Sequence, residues 1–316
     1  MRDFFAVLAF SFSVTGPIFV VLALGKFLRR RAVIDDRFVE VGSRLVFNIT
    51  LPALLFISVA KTRFSEAANL PMIAFGAGAT LAAYLALEFA AKRAGIAPRD
   101  RGVVVQGGFR SNMAIIGLAY VVNAYGDAGL VMASLYVGLV TILFNVLSVV
   151  TLSRSLDANE GIGRILRGIV RNPLIIGIML ALPVSALGIP LPGILVRTGE
   201  YFAQMTLPLA LLCTGASLNF ESLRTDTRST AIAAGAKLVG VPLLFVLGGI
   251  ALGFRGMELG ILLLMAAAPS AAASYVMVRA MGGNAPLAAN IVALTTIGSI
   301  LATSLGLTVL RAYALI

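Results

Sequence analysis

The sequence has no histidine and no tryptophan, and its single cysteine is Cys213. One cysteine cannot form an internal disulfide or a cysteine metal cluster. Without histidine the chain also lacks the usual zinc ligand and the usual catalytic base. We therefore expect no metal and no other cofactor.

Charged residues are scarce as well. They make up 12% of the 316 residues, against 59% hydrophobic residues. Since about a quarter of a soluble domain is charged, this chain cannot cover itself with polar surface and is expected to lie in a lipid bilayer. The net charge of +11 comes from 25 Lys and Arg against 14 Asp and Glu. In a membrane protein such an excess indicates topology, so no nucleic acid partner is expected.

Apolar stretches of about 20 residues, the length of one membrane crossing, recur along the whole chain. They predict an all-α membrane protein with ten transmembrane helices. The first stretch lacks the cleavage site of a signal peptide, so we interpret it as a retained helix. The predicted helices cover residues 4–25, 38–60, 71–91, 102–124, 128–152, 169–188, 194–218, 230–253, 257–280 and 286–310.

Basic residues are distributed unevenly between the two sides of these helices. Fifteen lie in the loops after helices 1, 3, 5 and 7, and six lie on the opposite side. The positive-inside rule predicts a multi-pass protein of the cytoplasmic (inner) membrane with both termini outside. The other four are Arg44, Arg110, Lys237 and Arg279 within predicted helices, and of these only Arg110 and Lys237 lie deep.

The two halves of the sequence resemble each other at a constant offset of 156 residues. This shift aligns TLPALLFISVAKTRF from Thr50 with TLPLALLCTGASLNF from Thr206, with 6 identities in 15 positions. It also pairs Pro17 with Pro173. Each half has five helices, so the second half enters the membrane from the opposite side. The sequence thus predicts two inverted five-helix repeats, residues 1–156 and 157–316, as in secondary transporters.

Predicted helices 4 and 9 each carry a weak point near mid-depth. Gly107 and Gly108 precede Asn112 in helix 4, and Pro269 interrupts helix 9. Two helices broken at one depth leave backbone groups that are tolerated where they line a cavity or a ligand. We predict a binding site there; the alternative is a pair of ordinary kinks.

Arg110 is expected at membrane depth with no acid near it. A deep arginine costs several kcal/mol unless it is paired or faces water. An anionic ligand would satisfy it, because a guanidinium holds a carboxylate through two parallel hydrogen bonds. A structural clamp is the alternative. Lys237, near the middle of helix 8, has the same two interpretations; a third is a structural cation in the place of a sodium ion, or a residue that takes part in coupling.

Further polar residues flank the two weak points. Asn48 and Gln204 precede Pro52 and Pro208 and either line the substrate path or bond neighbouring helices. No Asp or Glu is expected at mid-depth, so coupling through protein carboxylates is not expected. The candidate substrate-binding residues are Arg110, Ser111, Asn112, Pro269, Ser270, Asn48 and Gln204.

Several segments together resemble the auxin efflux carrier family of bacterial and plant permeases over essentially the whole chain. They are GKFLRRRAVID after helix 1, RLVFNITLPALLF in helix 2, SNMAIIGLAYVVNAYG in helix 4, RNPLIIGIMLAL in helix 6, MTLPLALLCTGASL in helix 7 and APSAAASYVMVRAMGGN in helix 9. The resemblance implies a fold like that of bile acid symporters and sodium/proton antiporters. Helices 1, 2, 6 and 7 would then form a scaffold, and helices 3–5 and 8–10 a moving transport core.

The same resemblance implies an elevator-type transporter of small organic anions such as malonate, malate or auxin-like acids, dimeric through the scaffold. Asn112 and Pro269 match the family's crossover residues. Relatives often carry proline in helix 4, where this chain has Ser111 and Ala119, so either Gly107 and Gly108 open that helix instead or it is less opened than usual.

Three other functions stay open at this point. A ten-helix exporter of the drug/metabolite class would share the inverted repeat without requiring interrupted helices, and a channel-like anion pore would conduct without saturating. An intramembrane enzyme would need Ser270 and Lys237 as a catalytic pair. We do not expect an enzyme.

Overall fold

The computed structural model describes residues 2–61, 69–156, 170–218 and 226–316. All regular secondary structure within these ranges is helical. No strand is found in them, and Ser111 and Ser270 form an isolated antiparallel pair. The predicted all-α class is confirmed for this part of the chain.

Eleven helices can be numbered in the described ranges. Predicted helices 4 and 9 are each divided in two, and the second part of helix 4 continues into helix 5. The helices are α1 (Arg2–Arg30), α2 (Asp36–Ala60), α3 (Leu70–Arg93), α4 (Pro98–Phe109), α5 (Met113–Ser155), α6 (Pro173–Leu187), α7 (Gly193–Ser217), α8 (Thr227–Ala251), α9 (Gly256–Ala267), α10 (Ala272–Ala280) and α11 (Ala285–Ala312).

Three helices begin with the same combination of residues. The side chains of Asn69, Asn172 and Asn284 accept hydrogen bonds from backbone N–H groups of the first turns of α3, α6 and α11. A proline follows each asparagine in the first two helical positions. Asparagine satisfies N–H groups that have no acceptor in the helix, and proline has no N–H to lose there. These short signals fix where the apolar helices start.

Five of the described helices are long and apolar enough to cross a membrane: α2, α3, α5, α8 and α11. Helices α6 and α9 are shorter and apolar. Large apolar side chains such as Leu85, Leu180, Leu247 and Leu301 are more than half exposed on their outer faces. Because so much exposed apolar surface is stable in lipid and not in water, the chain is a multi-pass membrane protein.

Helices α1, α2, α6 and α7 pack against one another. Helix α1 runs along α7, and α2 packs on both α6 and α7. The α1–α7 contact is close: a Cβ atom on Gly215 would lie 2.0 Å from the carbonyl oxygen of Leu22, and one on Gly25 would lie 2.2 Å from that of Leu212. Membrane helices use such small residues because their backbones can then approach each other.

The two short helices α4 and α9 are enclosed by the remaining helices. Helix α4 packs on α3, α5 and α8, and α9 packs on α8 and α11. The end of α4 and the end of α9 therefore lie inside this second group of helices.

Helix α5 is broken at Gly126, whose φ of 60° and ψ of −147° suit glycine and no other residue.

Helix 4 opens between Phe109 and Met113, close to Asn112. Gly107 and Gly108 are helical, and α4 ends after them, at Phe109. A Cβ on Gly107 would lie 2.8 Å from Ile291, and one on Gly108 would lie 2.9 Å from Leu87. The helix thus ends directly after the two glycines, which also let α4 pack closely against α11 and α3.

Candidate functional site

The breaks in the two interrupted helices lie against each other. The backbone N–H of Asn112 donates to the carbonyl of Pro269 at 2.7 Å, and the N–H of Ala271 donates to the carbonyl of Arg110 at 3.1 Å. These bonds form the antiparallel pair of Ser111 and Ser270. Backbone groups released by the helix ends thus find partners, as they must inside a membrane. We call this pairing the crossing.

Ser270 attaches the crossing to two neighbouring helices. Its backbone N–H donates to the hydroxyl of Thr295 in α11 at 3.1 Å, and its own hydroxyl donates to the carbonyl of Gly107 in α4. The preceding residue, Pro269, has no N–H and therefore leaves no donor without a partner. The helix break is thus held in place from both sides.

Arg110 is buried at the crossing, with 7% of its surface exposed. Its guanidinium donates to Asn145 Oδ1 at 2.8 Å and to Ser148 Oγ at 3.2 Å, and it contacts the sulfur of Met277. All three partners are neutral, and no described carboxylate forms an ion pair with Arg110. Its position is therefore fixed while its positive charge is not balanced by these partners.

Lys237 lies fully buried on the other side of the crossing, in a π-helical segment of α8. Its ammonium donates to the carbonyl of Ala266 at 2.7 Å and to the hydroxyl of Ser111. Ala266 belongs to the last turn of α9, where carbonyl groups lack helical partners and the helix dipole is negative. Lys237 therefore joins α8 to both interrupted helices. It does not bond Ser270, so these two residues do not form the pair that an enzyme would need.

A cavity of about 70 Å³ lies beside the crossing. Arg110 and Asn112 line it, together with the first residues of α5 and of α10, Phe47 of α2 and Leu174 of α6. No side chain caps the start of α5 or of α10. Because the first N–H groups of a helix lack acceptors and carry the positive end of its dipole, the cavity is suited to an anion.

The structure brings together five of the seven candidate residues, namely Arg110, Ser111, Asn112, Pro269 and Ser270. The other two lie elsewhere. Asn48 is exposed in the π-helical segment of α2, next to Phe47. Gln204 lines a second cavity of about 700 Å³ between α2, α5 and α7, which also contains the ion pair of Lys61 and Glu200 at 2.6 Å.

The residues that hold Arg110 were not predicted from the sequence. Asn145 and Ser148 stand three positions apart in α5, so they share one face of the helix. Two polar residues at this spacing within an apolar span are a usable signal for a buried polar partner. Met277 carries no such signal, because methionine is common in apolar helices.

The chain resembles known membrane transporters over most of its length. Residues 12–307 match the family described as "Membrane transport protein". An uncharacterized transporter from Methanothermobacter thermautotrophicus is 27% identical over 257 residues, which cover 80% of this chain and 83% of the relative. Both comparisons indicate a transporter rather than an enzyme. The family match covers nearly the whole chain, and the protein therefore belongs to the membrane transport protein family, that of the auxin efflux carriers.

Proposed function

We propose that the protein is a secondary active transporter that moves a small organic anion, such as malonate, malate or an auxin-like carboxylate, across the cytoplasmic membrane. One observation carries this proposal: the uncapped starts of α5 and α10 and the guanidinium of Arg110 meet at one small cavity. Three independent sources of positive potential at one place favour a carboxylate over a neutral or cationic substrate.

The size of the cavity favours a small substrate. Pockets for drug-sized ligands measure about 300–1,000 Å³, whereas the crossing cavity measures about 70 Å³. An acid of a few carbon atoms needs only modest widening of this space. An exporter of the drug/metabolite class, the main alternative, would require a much larger one. A channel-like anion pore is distinguished from a carrier by transport that does not saturate.

The arrangement of the helices fits elevator-type alternating access. In this proposal α1, α2, α6 and α7 form the scaffold, and α3–α5 with α8–α11 form the transport core. The anion binds between Arg110 of the core and Phe47 and Leu174 of the scaffold. Movement of the core then carries it past the scaffold, and two copies associate through their scaffolds as a homodimer.

The proposed inverted repeat agrees with the helix contacts. The shift of 156 residues relates α1 to α6 and α2 to α7, and α1 packs on α7 as α6 packs on α2. With the termini outside, the cavity lined by Gln204 opens outward and serves as the outer vestibule.

A thermal-shift screen of monocarboxylates and dicarboxylates tests the proposal. Cys213 is 2% exposed, so a thiol-reactive dye reports unfolding of the purified protein. A ligand at ten times its dissociation constant stabilises the folded state by about 1.4 kcal/mol. We expect at least one small carboxylate to raise the unfolding temperature of the wild type and not of Arg110→Ala. Equal shifts in both proteins would contradict the assignment of the site.

A further inference from the structure

A third cavity, of about 460 Å³, lies between α1 and α11, far in sequence from the crossing residues. We call it the α1–α11 groove. Its walls are almost entirely apolar, and two cations, Lys26 and Arg30, stand at the end where α1 terminates. Its lining residues include Phe19, Lys26, Phe27, Arg30, Leu218 and Ile297.

The groove has the length of one lipid leaflet. Phe19 and Arg30 both line it, and the eleven helical steps between them rise about 16 Å at about 1.5 Å per residue. The hydrocarbon core of a bilayer is about 30 Å thick, so one leaflet contributes about 15 Å. An acyl chain that begins beside Arg30 would therefore end beside Phe19, near the middle of the membrane.

The cations at its mouth are placed for a negatively charged headgroup. The ammonium of Lys26 donates to the carbonyl of Leu218, at the end of α7, which fixes it at the groove. Arg30 is exposed and bonds to no described residue. The neighbouring Arg29 is paired with Asp36 at 2.5 Å, so the Asp36 carboxylate is already bonded to a cation outside the groove. The mouth is thus positive above an apolar cleft.

We propose that the α1–α11 groove binds one anionic phospholipid from the leaflet that surrounds the end of α1. Its acyl chain lies in the cleft, and its phosphate lies at Lys26 and Arg30. Basic pockets between transmembrane helices recognise anionic headgroups by charge and by hydrogen bonds. Phe27, which is half exposed, and Ile297, also half exposed, offer apolar contact to the chain. A zwitterionic lipid of equal chain length brings the same phosphate together with a quaternary ammonium, which is repelled by Lys26 and Arg30, so its headgroup binds more weakly.

Thermal unfolding in detergent with added lipid tests this site. The full-length protein is mixed with phosphatidylglycerol or with phosphatidylcholine of the same acyl chains, and the dye reaction of Cys213 gives the unfolding temperature. We expect phosphatidylglycerol to raise the wild-type unfolding temperature by several degrees more than phosphatidylcholine does. The difference should vanish in Lys26→Gln/Arg30→Gln and persist in Lys92→Gln/Arg93→Gln, a pair of equal charge at the end of α3.

A further variant keeps the charges and fills the cleft. Ile297→Trp places an indole in the groove without changing Lys26 or Arg30, and it should also abolish the difference between the lipids. If the Lys26/Arg30 double variant does not fold, Arg30→Gln alone replaces it, because Arg30 bonds no described residue. Loss of the difference in the Lys92/Arg93 pair, its persistence in Ile297→Trp, or equal effects of the two lipids on the wild type would overturn the proposal.

Discussion

Arg110 shows how a cation can lie at membrane depth without an acid. Asn145 and Ser148 accept hydrogen bonds from the guanidinium, so it is oriented before any substrate arrives. Neutral partners leave the charge available, whereas an aspartate there would compete with an anionic substrate. In a site that carries anions, the bound anion balances the charge of Arg110, so this charge is unbalanced only while the site is empty.

Replacing Arg110 by alanine should abolish anion uptake while the protein still folds and inserts. The change removes a buried charge along with its hydrogen bonds. The neutral side chains of Asn145 and Ser148 then lose the guanidinium as a donor. A hydrogen bond to a charged group contributes about 1.5–3 kcal/mol, which corresponds to a loss of more than tenfold. Uptake by reconstituted protein measures this loss, and Arg197→Ala, an exposed position on α7, is the matched control. Uptake by Arg110→Ala at the rate of the control would remove Arg110 from the site.

Asn112 should contribute to binding through its side chain, since its backbone already pairs with Pro269. We expect Asn112→Ala to raise the apparent KM about fivefold, the equivalent of one neutral hydrogen bond of about 1 kcal/mol. Asn112→Asp should be worse, because it introduces a negative charge of nearly the same shape beside the anion. Concentration-dependent uptake distinguishes the two variants. An unchanged KM in Asn112→Ala would assign the residue to packing.

At the scale of helices, the sequence indicated one break better than the other. Pro269 is a strong local signal, and α9 ends two residues before it. The residues from Arg110 to Asn112 contain no helix breaker, and their extended conformation depends on hydrogen bonds to Pro269 and Ala271, more than 150 positions away. Local propensity cannot reveal such a partner. The asparagine caps and the long apolar spans, by contrast, were readable because they act within a few residues.

Lys237 should stabilise the two interrupted helices. Lys237→Met removes the donor to the carbonyl of Ala266 and to the hydroxyl of Ser111, a loss of about 2 kcal/mol for two hydrogen bonds of about 1 kcal/mol each. The unfolding temperature should therefore fall by roughly 3–6 °C. Lys92→Met, at the exposed end of α3, should change it by no more than about 1 °C. Equal unfolding temperatures for the two variants would contradict a structural role for Lys237.

The position of Lys237 leads to a prediction about sodium. Because an ammonium already occupies the place between α8, α9 and Ser111, added sodium should neither stabilise the wild type nor increase its uptake. Exchange of sodium for choline at constant ionic strength tests this in both assays. Stimulation of uptake by sodium would show that another cation site operates in the protein.

The contact between α1 and α7 should tolerate no added side-chain atom. Gly215→Ala would place a methyl group against the backbone of Leu22, and such overpacking costs about 1–3 kcal/mol. Gly193→Ala lies on the same helix, where a Cβ would meet nothing within 4 Å. We expect lower yield and a lower unfolding temperature for the first variant only. Similar behaviour of both would argue against this close approach.

At the scale of the whole molecule, composition predicted the environment, motifs predicted the family, and the tertiary structure supplied the chemistry. The scarcity of charge indicated a membrane protein, and ordered motifs along the chain indicated the auxin efflux carrier family, which the family match confirms. The site depends on residues from α2, α5, α6, α10 and the segment between α4 and α5 around one cavity. Gln204 lies in another cavity because equal depth does not place two side chains on facing sides of their helices.

The central claim is that a small organic anion is carried at the crossing, and counterflow measures it most directly. Purified protein is reconstituted into liposomes loaded with unlabelled malonate or malate, and labelled acid is added outside. The account predicts saturable, transient accumulation of label above its external concentration with the wild type and with Arg197→Ala, and none with Arg110→Ala. Non-saturable equilibration without overshoot would indicate a pore, and equal overshoot in Arg110→Ala would contradict the proposed site.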